Sequence, residues 1–126
     1  MTDEEFVRAF ESTALPADRF DHAAHVRAGW WYLRHYPIGE AIDRFSRALR
    51  AFAAAQGASR KYHETITVAW MLVIADRLST DGDLDWPAFA ARHSDLFAKP
   101  SLLLQYYSSA TLESDRARGG FVMPER

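Results

Sequence analysis

Apolar residues recur at spacings of three and four along much of the chain, which is the pattern of helices with one buried face. Near the start, Thr2 and Glu5 have the spacing of a capping box, in which each side chain bonds the backbone of the other residue. Phe6 and Phe10 follow at helical spacing. A first helix is therefore predicted over residues 3–12.

A second helix is predicted to begin after Asp18 or Asp21 and to continue to about His35, and both of its ends have recognisable signals. Asp21 or Asp18 can act as the N-cap, since a short carboxylate accepts hydrogen bonds from the first turn. Pro37 ends the helix, because the residue before a proline disfavours helical geometry. We expect the apolar and small residues of this helix to face the interior, and His22 and His25 to share that face.

The longest apolar periodicity lies in the middle of the chain. A third helix is predicted over residues 38–56, with Gly57 as its C-terminal stop. Four apolar residues at helical spacing define its buried stripe: Ile42, Phe45, Leu49 and Phe52. Ser59 can cap a fourth helix over residues 60–79, which is apolar almost all round from 66 to 75. Such a helix is expected at the centre of the fold.

The C-terminal third predicts shorter elements. Asp85 followed by Pro87 is typical of a helix start, and this fifth helix is expected to end near His93. Further short helices follow before an irregular tail over residues 118–126. Because no segment alternates with period two, a sheet is not expected. The predicted fold is all-α: a compact single-domain helical bundle over residues 1–126, with about four main helices and short C-terminal ones.

Composition narrows the function classes. The 126 residues are 48% hydrophobic and include no cysteine, so disulfides and thiolate metal sites are excluded. The net charge of −2 and the mixed charges argue against nucleic-acid binding. The longest apolar run, residues 68–75, is too short to cross a bilayer. The acidic start of the chain does not have the pattern of a signal peptide, so a cytoplasmic protein without membrane contact is expected.

Two histidines on the second helix carry the main functional hypothesis. His22 and His25 stand at positions i and i+3, which places their Cβ atoms roughly 5–6 Å apart on one helix face. Two imidazole nitrogens can then reach one metal ion, each at about 2.0–2.1 Å. Such a pair also arises by chance, and a histidine that is hydrogen-bonded within the core is the competing interpretation.

A second histidine motif stands at the start of the fourth helix. If helices two and four pack side by side, His63 joins His22 and His25 as a third metal ligand. Iron, zinc, manganese and copper all suit such a divalent transition-metal site. Glu64 follows His63 directly, so the two side chains diverge by about 100° and are not expected to share one ion. Glu64 then fits a general base or a hydrogen-bond acceptor for the ligand, and the competing interpretation is a salt-bridged or solvated acid favoured by the helix dipole. The sequence thus predicts a small metal-binding protein, which as an enzyme would act on a small molecule.

The other aromatic and polar candidates leave alternatives open. Tyr106 is predicted to supply a catalytic phenol, and Tyr106 or Tyr107 to border a small-molecule pocket, although aromatic pairs at helical positions are commonly core. One alternative function is a metal-free binding module, as a homodimer or as a small subunit of a complex. Another is a metal-free enzyme with His25 or His63 as its base and Glu64 as the orienting carboxylate.

Three stretches together resemble a group of short, hypothetical bacterial all-α proteins: FDHAAHVR at 20–27, KYHETIT at 61–67 and SLLLQYY at 101–107. The likeness continues to the GFV segment at 120–122 and covers residues 20–124. It implies a self-standing bacterial domain. It attaches no activity, cofactor or site residue to the chain.

Overall fold

The computed structural model describes all 126 residues and contains helices but no strand, which confirms the all-α prediction. The seven α-helices are α1 Asp3–Glu11, α2 His22–His35, α3 Ile38–Ala55, α4 Glu64–Asp81, α5 Trp86–Arg92, α6 Ser109–Leu112 and α7 Asp115–Gly119. Short 3-10 helices cover Ala17–Arg19, Ser59–Lys61, Ser94–Phe97 and Leu102–Gln105. No helix is both long and apolar enough to cross a membrane.

The chain divides into two compact units, Met1–Tyr62 and His63–Arg126, which we call unit 1 and unit 2. Unit 1 consists of α1, α2 and α3, each of which packs against the other two. Unit 2 is organised around α4, which packs against α7 and against the 3-10 helix Leu102–Gln105. The expected single domain over residues 1–126 stays a prediction.

The helix starts of unit 1 follow the predicted capping signals. The Thr2 hydroxyl accepts a hydrogen bond from the Glu5 amide, and the Glu5 carboxylate accepts one from the Thr2 amide, each at 3.1 Å. Asp21 caps α2 by accepting from the Ala24 amide at 2.9 Å. At the other end of α3, Gly57 has a φ of +67°, the left-handed geometry that glycine adopts without a steric penalty.

The core of unit 1 is aromatic. Phe10 packs against Phe45 and Phe52, with ring centroids 6.0 and 5.5 Å away, and stacks on Phe20 at 4.6 Å. Tyr32 joins the cluster 5.7 Å from Phe45 and is fully buried. Such rings dominate core energetics because each removes a large apolar area from water. They hold the three helices together and surround the face of α2 that carries His25.

The fourth helix begins later than predicted. Residues Ser59–Lys61 form a separate 3-10 helix, and α4 starts at Glu64 with His63 as its N-cap. The Nδ1 atom of His63 accepts the hydrogen bond of the Ile66 amide at 3.1 Å. The prediction of a Ser59 cap was wrong, because the ring of His63 caps the helix instead. Histidine is not among the residues that usually cap helices, so the sequence did not indicate this start.

The C-terminal segment of unit 2 is anchored rather than loose. The α7 helix extends to Gly119, so the irregular part is 120–126 and not 118–126. Thr65 of α4 donates its hydroxyl hydrogen to the Gly120 carbonyl at 2.8 Å and accepts from the Val122 amide at 3.0 Å. These bonds fasten the segment to the first turn of α4.

Candidate functional site

The predicted metal site is not formed. No group of three or more His, Cys, Asp or Glu side chains is placed to hold a metal ion. The prediction of a metal-binding protein was therefore wrong, because His22, His25 and His63 do not form such a group. The contacts of each histidine give the physical reason.

His63 is buried and uses both ring nitrogens in hydrogen bonds. Its Nδ1 atom accepts from the Ile66 amide, so the ring hydrogen lies on Nε2. Nε2 then donates to the Leu112 carbonyl at 2.6 Å, which ties the start of α4 to α6. Because the Nδ1 lone pair accepts from Ile66 and Nε2 carries the hydrogen donated to Leu112, the ring cannot ligate a metal or act as a base without breaking these hydrogen bonds.

His25 is half-buried within the aromatic core of unit 1. Its ring stacks on Phe45 at a centroid distance of 5.1 Å and lies 6.1 Å from Phe20. The Nε2 atom is shielded from solvent and has no hydrogen-bond partner. Burial in this apolar setting, with a smaller effect from nearby His22, lowers the pKa of His25 to about 4. The imidazole is therefore neutral at pH 7.

His22 lies on the exposed side of α2, not on the interior face that the sequence suggested. Its ring centroid is 6.3 Å from that of His25, and the two rings are tilted by 62°. The spacing of i and i+3 does place the two rings side by side. The pair differs in environment, however, because one ring faces solvent and the other faces the phenylalanine cluster.

The remaining predicted site residues are in unit 2. Glu64 is the first residue of α4 and is half-buried, next to the capping histidine. Tyr106 follows the 3-10 helix Leu102–Gln105 and keeps 37% of its surface exposed. The catalytic roles of Glu64 and Tyr106 stay predictions.

Unit 2 contains an open pocket of about 190 Å³ beside α4. Five of its lining residues belong to α4 and recur at the spacing of one helix face: Ala69, Leu72, Val73, Asp76 and Arg77. The three apolar residues come first along this face, and the two charged residues follow toward the C-terminal end of α4.

The facing wall comes from the segment after the short 3-10 helix and from the end of the chain. Leu103, Tyr106 and Tyr107 line this side, together with Pro124. Tyr107 is completely buried and donates its hydroxyl hydrogen to the Val122 carbonyl at 2.7 Å. Tyr106 and Tyr107, one of which was predicted to border a small-molecule pocket, both line this one, and Tyr106 is the more accessible.

The end of the chain is held against this wall by several hydrogen bonds. The amides of Glu125 and Arg126 donate to the Tyr106 carbonyl at 3.0 and 3.2 Å. The carboxylate of Glu125 accepts from the Ser108 amide and from the Thr111 hydroxyl. These bonds lower the pKa of Glu125 below its usual value. Pro124 consequently occupies a defined position at the rim of the pocket.

Arg77 lines the pocket, but its guanidinium group is already hydrogen-bonded to other side chains of unit 2. Its two terminal nitrogens donate to the two carboxylate oxygens of Asp95 at 2.8 and 2.7 Å. The same Nη1 atom donates to His93 Nδ1 at 3.1 Å, and His93 Nε2 donates to Asp81 at 2.7 Å. The bond with Asp95 raises the pKa of Arg77 and lowers that of Asp95. The positive charge of Arg77 is therefore balanced inside the protein.

The polar groups that remain available to a ligand are Asp76 and the Tyr106 hydroxyl. Asp76 is exposed, and its carboxylate makes no hydrogen bond or ion pair within the protein. Sequence reasoning missed Asp76, Arg77 and Leu72 as pocket residues. The sequence did contain a signal for them, since the apolar stripe of the fourth helix continues into two charged residues. Charged residues at the end of a helix are usually only solvent-exposed, however, so this pattern does not by itself indicate a pocket.

Comparisons with known proteins add no assignment. No protein-family model matches the chain, and neither a curated protein nor a solved structure shows a significant match to it. Function is therefore inferred from the geometry of the site.

Proposed function

We propose that this protein binds a small amphipathic molecule in the pocket of unit 2. The observation that carries the proposal is the pocket itself, whose lining combines apolar walls with the carboxylate of Asp76 and the hydroxyl of Tyr106. Ligand sites typically have this composition, because apolar walls supply affinity and a few polar groups orient the ligand.

The volume of the pocket indicates the size of the ligand. An apolar cavity of about 150 Å³ holds one benzene ring. The 190 Å³ found here therefore suits a single ring, or a short branched chain, with one small polar substituent. Ligands of this size bind with dissociation constants in the roughly millimolar range, since only about eight non-hydrogen atoms contribute.

The walls of the pocket support binding because they are already in place. Leu103 is 2% exposed and Tyr107 is fully buried, so both are fixed by core packing. The hydrogen bonds of the C-terminal segment hold Pro124 opposite α4. A ligand entering such a site orders few side chains, which lowers the entropic cost of binding.

The test is an amide NMR titration of the full chain with benzyl alcohol. We expect saturable shifts in the amides around Ala69, Val73 and Tyr107. Leu72→Ala removes an apolar wall and should weaken binding roughly fivefold, from a loss of about 1 kcal/mol of apolar contact. Ile38→Ala is the matched control, because Ile38 is a similarly exposed aliphatic residue on a helix of unit 1.

Either of two results would overturn the proposal. One is the absence of saturable shifts at the pocket up to the solubility of benzyl alcohol. The other is an equal effect of Leu72→Ala and Ile38→Ala on the dissociation constant, since that would place the ligand elsewhere.

A further inference from the structure

We infer that the pocket of unit 2 selects a cationic ligand, a small ring or chain that carries an ammonium group, with Asp76 as the counter-ion. This inference rests on the proposed function and adds the charge class of the ligand. It depends on whether Asp76 or Arg77, the two charged residues that line the pocket, already has its charge compensated by an ion pair within the protein.

Arg77 would be the obvious receptor for an anion, but its charge is already compensated. Both terminal guanidinium nitrogens donate hydrogen bonds to Asp95 in the bidentate geometry that arginine and carboxylate groups favour. His93 Nδ1 takes a further hydrogen bond from Nη1. An incoming carboxylate would have to displace Asp95, whose negative charge would also repel it.

Asp76 is in the opposite situation. It lines the pocket, it is exposed, and its carboxylate has no hydrogen-bond or ion-pair partner in the protein. Asp76 also interacts electrostatically with the neighbouring Arg77, but the hydrogen bonds of Arg77 go to Asp95, so Asp76, Arg77 and Asp95 together carry one net negative charge. A net negative charge at this end of the pocket favours cations over anions.

Tyr106 adds a second element of cation recognition. Tyr106 lines the pocket and is 37% exposed, so a ligand can contact it directly. A cation near an aromatic face gains roughly 0.5–1 kcal/mol at an exposed site, which corresponds to about two- to fivefold in affinity. The phenol oxygen can also accept a hydrogen bond from an ammonium group.

The inference is tested with three ligands of matched shape: benzylamine, benzyl alcohol and benzoate. At pH 7 the amine is protonated, as a lysine side chain is, and benzoate is ionised. We expect the benzylammonium ion to bind about three- to tenfold more tightly than benzyl alcohol, because an exposed charge pair adds a few-fold to the contribution of the ring. Benzoate should bind more weakly than the alcohol. The preference should shrink at 1 M salt through screening.

Asp76→Asn keeps the shape of the side chain and removes its charge, so it should abolish the preference for the amine while benzyl alcohol still binds. Asp83→Asn is the matched control, an exposed acid in the turn after α4 that does not line the pocket. It should leave the preference intact.

The outcomes separate this inference from the proposed function. If all three ligands bind equally, if benzoate binds best, or if the preference survives in Asp76→Asn, the charge class is wrong although the pocket binds ligands. If no ligand binds, the proposed function fails, and the charge class fails with it.

Discussion

His63 Nε2 donates a hydrogen bond of 2.6 Å to the Leu112 carbonyl, which joins the first turn of α4 to the end of α6 across 49 residues of sequence. The same ring caps α4 through Nδ1. One buried side chain thus satisfies a helix N-terminus and a distant carbonyl. Its role is structural bonding within unit 2, in contrast to the metal ligation that the sequence suggested.

Replacing His63 by alanine should lower the free energy of unfolding by about 2–4 kcal/mol. Loss of an N-cap costs about 1 kcal/mol, and an unsatisfied buried carbonyl adds about 1–3 kcal/mol. Urea denaturation followed by circular dichroism measures this. His63→Asn should cost less, because asparagine still caps the helix although it cannot reach Leu112. A change below about 0.5 kcal/mol in His63→Ala would contradict the assigned role.

His25 should make stability depend on pH. Its pKa in the folded protein is about 4, below the unfolded value of about 6.5, so the unfolded chain binds the proton more tightly. The contribution of neutral His25 is fully present above pH 6.5 and is lost as the pH falls from there toward 4. We expect a loss of up to about 3 kcal/mol by pH 4.

The variant His25→Met isolates this effect, because it keeps an apolar side chain of similar size and cannot be protonated. The difference in unfolding free energy between wild type and His25→Met should widen as the pH falls from 7 to 4. At pH 7 the variant should be no less stable, since it removes a buried Nε2 atom without a partner. His35→Gln, at the exposed end of α2, should keep the wild-type slope. An unchanged slope in His25→Met would show that other groups cause the pH dependence.

Thr65 and Thr67 offer a matched pair of buried threonines on one helix. Thr65→Val should cost about 2–4 kcal/mol, because both the Gly120 carbonyl and the Val122 amide lose their partner. Thr67→Val should cost less than about 1 kcal/mol, since the His63 carbonyl still accepts from the Thr67 amide. Thermal unfolding of the two variants measures the difference. Equal losses would mean that the C-terminal segment is not anchored by Thr65.

Metal removal should leave the protein unchanged. Because no group of ligands is placed around a common point and both nitrogens of His63 are bonded, we expect the same melting temperature before and after exhaustive dialysis against a chelator. Elemental analysis of the purified chain measures its metal content as a second test. Near-stoichiometric metal whose removal lowers the melting temperature would contradict the arrangement of the histidines described above.

Local signals in the sequence were sufficient for the fold class and for several helix ends. The Thr2 and Glu5 capping box, the Asp21 cap and the Gly57 stop act between residues at most a few positions apart. Asp85 caps α5 as expected, with Pro87 in its first turn. Such signals can be read without a tertiary structure because both partners lie in one short segment.

The histidine assignments failed because they depended on partners far away in the sequence. Nothing near His63 indicates that its Nε2 atom bonds to Leu112, and the aromatic surroundings of His25 come partly from Phe45 on another helix. An i, i+3 spacing puts two rings side by side but does not decide whether a third ligand or a phenylalanine faces them. Helix packing makes that choice.

The pocket shows the same division between local and long-range information. The spacing of Ala69, Val73 and Arg77 on one face of α4 follows from the sequence, because a helix repeats every 3.6 residues. The pairing of Arg77 with Asp95, which leaves Asp76 as the unbalanced charge, depends on how the chain folds back over 18 residues. The helical pattern of the sequence thus determined which residues share the pocket-lining face of α4. Only the tertiary contacts decided which charges are neutralised and which face a ligand.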